Sequence, residues 1–407
     1  MFNRQLVLAQ AEKYDSFYLY DESRLKEAAE KLTGNFKNIH FLYSIKANPN
    51  IMVIKSLITA GFGADAASIG EVLLSNKLGL KKEGIYYSAP GKNTSDIEQA
   101  LDKSIIIADS INEINKIQVI AETKGIVAKI GVRINPNFTF NSNIGIPSKF
   151  GIDEKTLFEN IELINGLKNI VITGIHVHIQ SQELDSKLLI KYYDKVLNLA
   201  VRFQQEAKIV LEFINLGAGI GIAYSQNEKE INMNIFGNSV SELFTTFMKE
   251  LPEVKIFIET GRYVVTKAGV YVTKVVDIKE SFGKTYIILN NTLNGFMRPA
   301  LAQLVDRYST EEKMPGSEPL FTSRESFDFV VLNNETDNAV VSLVGNLCTA
   351  TDIIANDILL PKLIVGDIIV ITNAGSYGAT LSPTKFSSHN PLRELFLKID
   401  GEIEENN

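Results

Sequence analysis

Lys46 ends an apolar run. The stretch FLYSIKAN carries aromatic and β-branched residues up to one lysine, then Ala-Asn. An unpaired ammonium among core side chains costs on the order of several kcal/mol. Either Lys46 leaves the core and snorkels to water, or it is a nucleophile whose charge is managed by a bound group. Four further stretches offer chemistry. HVHIQSQ holds His178, which suits a satisfied core imidazole or a ring stacked on a ligand. NLGAGIGIAY spaces Gly217, Gly219 and Gly221 for a tight turn or for close backbone approach to an anion. IETGRYVV sets Glu259 near Arg262, as an ordinary ion pair or as two parts of a binding site. VGNLCTATD holds Cys348 and Asp352; the cysteine suits a small buried hydrophobe or a loop thiol.

These residues need elements to position them. Between about residues 35 and 265, short apolar runs alternate with amphipathic stretches. IHFLYSIKA, GFGADAA, GIYYSAP, SIIIADS, VAKIGVRIN, VITGIHVHI, LEFINLGAG and VKIFIETGR read as strands. Helical patterns such as SINEINKIQVIAETKG and SKLLIKYYDKVLNLAVRFQQEA lie between them. A doubly wound sheet explains part of this rhythm, but eight strand–helix units in about 230 residues favour a (β/α)8 TIM barrel. Later, GVYVTKVVDIKES, TYIILNN, FDFVVLN, AVVSLVGN and DIIVITNAGSYG read as strands with few long helices. The fold class is therefore α/β plus β. The barrel is expected over 30–266 and a mostly-β domain over 1–29 and 267–400, with SFYLYD contributing an early strand. The polar stretch 305–326 reads as a long loop and the acidic tail 401–407 as frayed. Active sites of such barrels lie at the C-terminal ends of the strands, where Lys46, His178, the glycine turn and Glu259 fall.

Composition narrows the function. The chain has 407 residues, 45% hydrophobic content and a net charge of −7 with no basic tract, which argues against a nucleic-acid partner. Its apolar runs are too short to span a bilayer, so no membrane role is expected. The N-terminus lacks the pattern of a cleaved signal peptide. One cysteine excludes a disulfide framework within the chain and fits a reducing cytoplasm. With four histidines and no Cys/His cluster, no metal site is expected.

A pyridine ring over the barrel mouth would unite the strand-end residues. A carboxylate such as Glu259 would keep its nitrogen protonated, and a pyridinium draws electrons from a substrate carbanion. Arg262 would then face a phosphate. The motifs YSIKAN, GFGADAASIGE, SAPGK, VRINP, SKFGI, HVHIQSQ, NLGAGIGIAY, ETGRYVV, GFMRPAL, GNLCTATD and AGSYGA occur in this order. Together they resemble the fold-type III pyridoxal-phosphate decarboxylases, which include diaminopimelate and ornithine decarboxylases and share an alanine racemase-like barrel. The resemblance runs from about residue 15 to 395. It implies that pyridoxal 5'-phosphate is the cofactor and that Lys46 forms its Schiff base. Asp65 would support Lys46, His178 would stack on the ring, and Glu259 would hold its nitrogen. Ser181, Gly219, Gly221, Arg262 and Tyr377 would surround the phosphate. Arg298 would bind a carboxylate or other acceptor on the substrate. Cys348, from the partner subunit of a homodimer with shared sites, would protonate the α-carbon, with Asp352 contributed from the same side.

The departures from that family gather on the substrate. Where diaminopimelate decarboxylases carry CES-x-D, this chain reads Cys348-Thr349-Ala350-Thr351-Asp352, and Thr349 cannot pair with a distal ammonium. Ala302 and Gln303 follow RPAL in place of the usual aromatic, Phe386-Ser387 replaces Tyr-Asn, and HIGSQ has become HIQSQ. The cysteine-threonine form is similar to a branch that decarboxylates modified or conjugated amino acids in siderophore or antibiotic assembly. A decarboxylase of that kind is the favoured reading, with meso-diaminopimelate decarboxylation in lysine synthesis as the alternative. A non-catalytic cofactor-binding regulator and a racemase rank below both, because Lys46, Glu259 and Cys348 are all present.

Overall fold

In a computed structural model, which describes residues 3–225, 227–308, 323–390 and 392–405, the expected strands close into a barrel. A first strand, β1 (Ser16–Asp21), precedes it. The barrel strands are β2 (Ile39–Ser44), β3 (Gly63–Ala66), β4 (Ile85–Ser88), β5 (Ile105–Ala108) and β6 (Ala128–Asn135). After the two-residue β7 (Ile152–Asp153), which pairs only with β6, come β8 (Ile170–His176), β9 (Phe213–Asn215) and β10 (Lys255–Thr260). Each barrel strand lies parallel to its neighbours, β5 joining β6 and β10 returning to β2, so no edge is left open.

Alternation along the strands builds the barrel interior in layers. Leu42, Tyr86, Ile105, Ile107, Phe213 and Phe257 form a closed apolar cluster. Gly131 and Gly174 make room for it: a Cβ on Gly174 would fall 2.3 Å from the Phe213 ring. Two residues further along the strands, the same face carries Ser44, Asp65, Ser88, Arg133, His176, Asn215 and Glu259. The barrel is thus plugged with hydrocarbon below and polar at its mouth.

The remaining strands are β11 (Gly269–Ser281), β12 (Lys284–Leu289), β13 (Phe329–Val331), β14 (Asn338–Gly345), β15 (Ile353–Pro361), β16 (Ile368–Ile371), β17 (Arg393–Leu397) and β18 (Ile403–Glu405). They form a second sheet in the order β15-β14-β12-β11-β1-β17-β18, with β16 joining β11 to β13. β1 sits inside it, antiparallel to β11 and parallel to β17. The helix Arg4–Ala11 covers one face through Val7.

Three details differ from expectation. The break expected at residues 29 and 30 falls inside the helix Glu22–Thr33, whose Glu22 accepts from Ser56 of the barrel helix Ile51–Thr59. The tail does not fray as expected through 403–405, because β18 pairs with β17 and Arg393 meets Glu405 at 2.6 Å. Of the expected 305–326 loop, 305–308 complete the helix Met297–Tyr308 and 324–326 form a single 3-10 turn; 309–322 lie outside the described residues. Among the described residues, no helix is long and apolar enough to cross a membrane.

Candidate active site

Lys46 leaves the core as soon as β2 ends. Residues Ile45–Ala47 make one 3-10 turn, with Ile45 and Ala47 buried on either side of the lysine. Asn50 then caps the helix Ile51–Thr59 by accepting from the Met52 and Val53 amides. The turn is held from both sides: Tyr43 donates its hydroxyl to the Asn48 carbonyl, and the Asn48 amide donates to Gly375 of the second sheet's loop. Nζ of Lys46 stands 3.7 Å from Asp65, and the side chain is 43% exposed, opening on a cavity at the barrel mouth. Asp65 is buried and accepts from Ser44 and Ser88, each at 2.8 Å. Desolvation inside the cavity mouth pulls the Lys46 ammonium down, but Asp65, then Tyr377 and Glu259, outweigh it and raise the group above its ordinary value. Burial and Glu259 raise Asp65 in turn. The lysine is an ammonium held beside a counter-ion until something replaces its proton.

Glu259 is the second centre. It is buried near the end of β10 and accepts from the Asn215 amide at 2.9 Å, while His176 Nε2 stands 3.1 Å away. Burial alone would raise its carboxyl, but His176, His178 and Lys46 reverse that and hold it well below the usual carboxylate range. His178 lies beyond the end of β8 with its ring nearly parallel to that of His176. The Ala218 amide donates to His178 Nδ1 at 3.1 Å, which leaves the ring neutral with its proton on Nε2. Burial, with help from Arg133 and Lys46, pushes His178 down to about 3 despite the pull of Glu259.

The third centre is cationic. Arg262 opens a short helix after β10 and donates to the Tyr224 hydroxyl at 3.3 Å; its guanidinium lies 5.4 Å from the Tyr377 ring. Tyr377 reaches the barrel from the second sheet, its amide on the Ala47 carbonyl at 2.7 Å and its φ at +54°. Arg298 donates to the same Tyr224 oxygen at 3.2 Å. Burial would raise that phenol, but Arg298 and Arg262 bring it down to about 7. The folded chain therefore favours the phenolate. The resulting stability is fully present above the ordinary phenol value near 10 and is lost as pH falls through about 7. Tyr224→Phe should remove one low-pH tyrosinate step from the near-ultraviolet absorbance of the cofactor-free protein, along with this slope in unfolding free energy. An unchanged titration would refute the assignment.

The cavity holds about 400 Å³ and is lined by Lys46, His178, Ser181, Glu259, Arg262 and Tyr377 among others, within the usual range for small-molecule sites. Several expected residues stand elsewhere. Gly221 donates its amide to the Glu183 carbonyl at 2.9 Å, so that N–H is not available to a phosphate. The Gly219 carbonyl accepts from the Glu183 amide at 2.9 Å, and a Cβ there would meet Leu189 at 2.8 Å, so the turn has no room for a side chain. Arg298 is fully enclosed, bound to the Ser376 carbonyl and Tyr224, and does not present itself to a substrate. Asp352 is buried too. It accepts from the Thr292 hydroxyl and from the Leu293 and Leu347 amides, and so shapes the Cys348 loop rather than meeting a ligand. Cys348 is exposed, 3.7 Å from Ser387, and with Thr349 lies outside the Lys46 cavity of its own chain.

His176, Asn215, Arg133 and Tyr224 complete the site but were not singled out in the sequence. Arg133 lines the cavity, stacked 4.5 Å over Phe150 and 3.8 Å from Asp109. Period two would have found three of them, since each lies two positions beyond a glycine or phenylalanine of the barrel floor.

A nucleophilic lysine, a buried carboxylate, a neutral imidazole and an arginine around one barrel mouth match the donor set of a pyridoxal-phosphate site: an amine for the aldehyde, a carboxylate for the ring nitrogen, and a cation for the phosphate. The family model "Pyridoxal-dependent decarboxylase, pyridoxal binding domain" matches residues 22–266, and the chain belongs to that family. It is a pyridoxal-phosphate-dependent decarboxylase, a carboxy-lyase. It is 31% identical to an L-glutamyl-[BtrI acyl-carrier protein] decarboxylase of Niallia circulans, over 95% of this chain and 90% of the relative. It is 28% identical to 2-[(L-alanin-3-ylcarbamoyl)methyl]-2-hydroxybutanedioate decarboxylase of Staphylococcus aureus, over 95% of each chain. The crystal structure of diaminopimelate decarboxylase from Helicobacter pylori complexed with L-lysine superposes with a TM-score of 0.82 at 28% identity, covering 100% of this chain and 96% of the other.

Proposed function

We propose that this decarboxylase acts on an amino acid whose side chain is conjugated through an uncharged linkage, a precursor in siderophore or other secondary-metabolite assembly. The observation that carries this reading is the loop from Cys348 to Asp352. Thr349 is tied to the Thr351 hydroxyl at 2.9 Å and Asp352 is spent on the loop itself, so the loop offers no carboxylate to a distal ammonium. The Niallia and Staphylococcus relatives are named for substrates attached to a carrier protein or joined through a carbamoyl group.

In this proposal Lys46 would hold the cofactor through its amine. The bound cofactor supplies an electron sink for the pair left when carbon dioxide departs. Glu259 would keep the ring nitrogen protonated, His178 would meet the ring as a neutral imidazole, and Ser181, Arg262 and Tyr377 would hold the phosphate. The bond to the carboxylate breaks, and a thiol proton from Cys348 forms the new C–H bond at the α-carbon. Cys348 is exposed and outside its own chain's cavity, which supports a working homodimer in which the thiol serves the site of a second copy.

Mass spectrometry on the cofactor-loaded protein tests the substrate. A citryl-diaminopropionate conjugate should lose carbon dioxide and meso-diaminopimelate should not. Turnover of diaminopimelate at an equal or greater rate would place the chain in lysine synthesis instead, the second reading, favoured by its likeness to the Helicobacter structure.

A further inference from the structure

The segment HIQSQ carries two glutamines with opposite fates. Gln182 is clamped: its amide donates to the Ile222 carbonyl at 2.7 Å, and its carbonyl accepts from the Ile222 amide at 3.1 Å. It stands at φ +64° with this pair of hydrogen bonds tying it to the glycine turn. Gln180 lines the cavity that contains Lys46, is half-buried, and has no hydrogen bond to any described residue. A side-chain amide in a half-closed site keeps its full value only when a ligand supplies both an acceptor and a donor.

The surroundings narrow what that ligand group is. Glu259 is the only carboxylate lining the described cavity, and it is buried and engaged by Asn215 and His176. The part of the cavity that this chain builds leaves nothing acidic to receive an ammonium. The free polar capacity at Gln180 is neutral and two-sided. A carboxylate or an ether on the substrate would use only its N–H, and an alkyl chain would use neither end. An amide uses both.

We propose that Gln180 is a specificity-determining residue that reads an amide in the substrate side chain. This rests on the conjugated-substrate reading above and names the linkage. The reciprocal hydrogen-bond pair forms in the Michaelis complex and persists through decarboxylation, so it lowers KM and leaves kcat nearly unchanged.

The holoenzyme should be assayed with Nβ-acetyl-L-2,3-diaminopropionate, which has the amide, and with L-norleucine, which has similar length and no polar group. The wild type should favour the amide by roughly tenfold or more in kcat/KM, carried by KM. Gln180→Ala should bring the two probes within about twofold at unchanged kcat. The variant should fold normally, since Gln180 bonds to no described residue. Gln180→Glu should shift preference toward the free amine L-2,3-diaminopropionate. If Gln180→Ala retains the wild-type preference, the role of Gln180 is overturned while the conjugated-substrate reading stands. If the wild type ignores the amide probe and turns over meso-diaminopimelate, that reading falls, and the role of Gln180 with it.

Discussion

Lys46→Ala should abolish decarboxylation, by on the order of a thousandfold or more, equivalent to about 4 kcal/mol of barrier. The loss should come with a second signature, the disappearance of the visible absorption of lysine-linked cofactor from the purified protein. The fold should survive. The Lys46 side chain opens on the cavity, so its removal leaves no void in the apolar core. Asp65 then loses its counter-ion but keeps the Ser44 and Ser88 hydroxyls, and its raised proton affinity lets it go neutral rather than stay charged and unpaired. Near-native thermal unfolding with no turnover and no bound chromophore is the expected set. Turnover within tenfold of wild type would remove Lys46 from the chemistry altogether.

Glu259→Gln should lower kcat by about a hundredfold or more while the cofactor stays bound. The amide has nearly the shape of the carboxylate and still accepts from Asn215, so packing around β10 is kept. It cannot hold a proton on a ring nitrogen, and that is the function lost. Sign and pH range follow from the environment. His176, His178 and Lys46 hold the native carboxyl well below its ordinary range, so its stabilising charge is present above that range and is lost only in strong acid. The wild-type kcat profile should therefore show no acid limb from Glu259 near neutral pH. Wild-type kcat in the Glu259→Gln enzyme would show that the ring nitrogen needs no anionic partner here.

The barrel was legible because most of its strands are short apolar runs with β-branched or aromatic residues, and all eight became β2–β6 and β8–β10, although β3 (GADA) has neither. The two-residue β7 carries no such signal. The helix Met297–Tyr308 carries Pro299 in its first turn, where a missing N–H is tolerated, and its last residues had read as loop. At the site, Lys46, His178, Glu259 and Arg262 were visible because reactive side chains at strand ends are conspicuous. Arg298 and Asp352 were harder to read for one shared reason: within this chain their partners are backbone groups and hydroxyls from remote segments, Ser376 and Tyr224 in one case and Thr292 and Leu347 in the other. Their motifs mark them as polar and special without telling whether the charge faces a ligand or the protein itself.

The position of β1 in the second sheet has a consequence for biosynthesis. Its antiparallel partner starts about 250 residues later and its parallel partner about 370 residues later. At roughly 5–20 residues per second, the ribosome delivers the first of these after tens of seconds. Until then SFYLYD, buried almost end to end in the finished fold, is an unpaired apolar strand on a nascent chain. The barrel is complete before that strand finds a neighbour. The first strand is thus the segment with the longest wait for its partners, and truncation within β17 would leave it paired with β11 alone, with its other edge open.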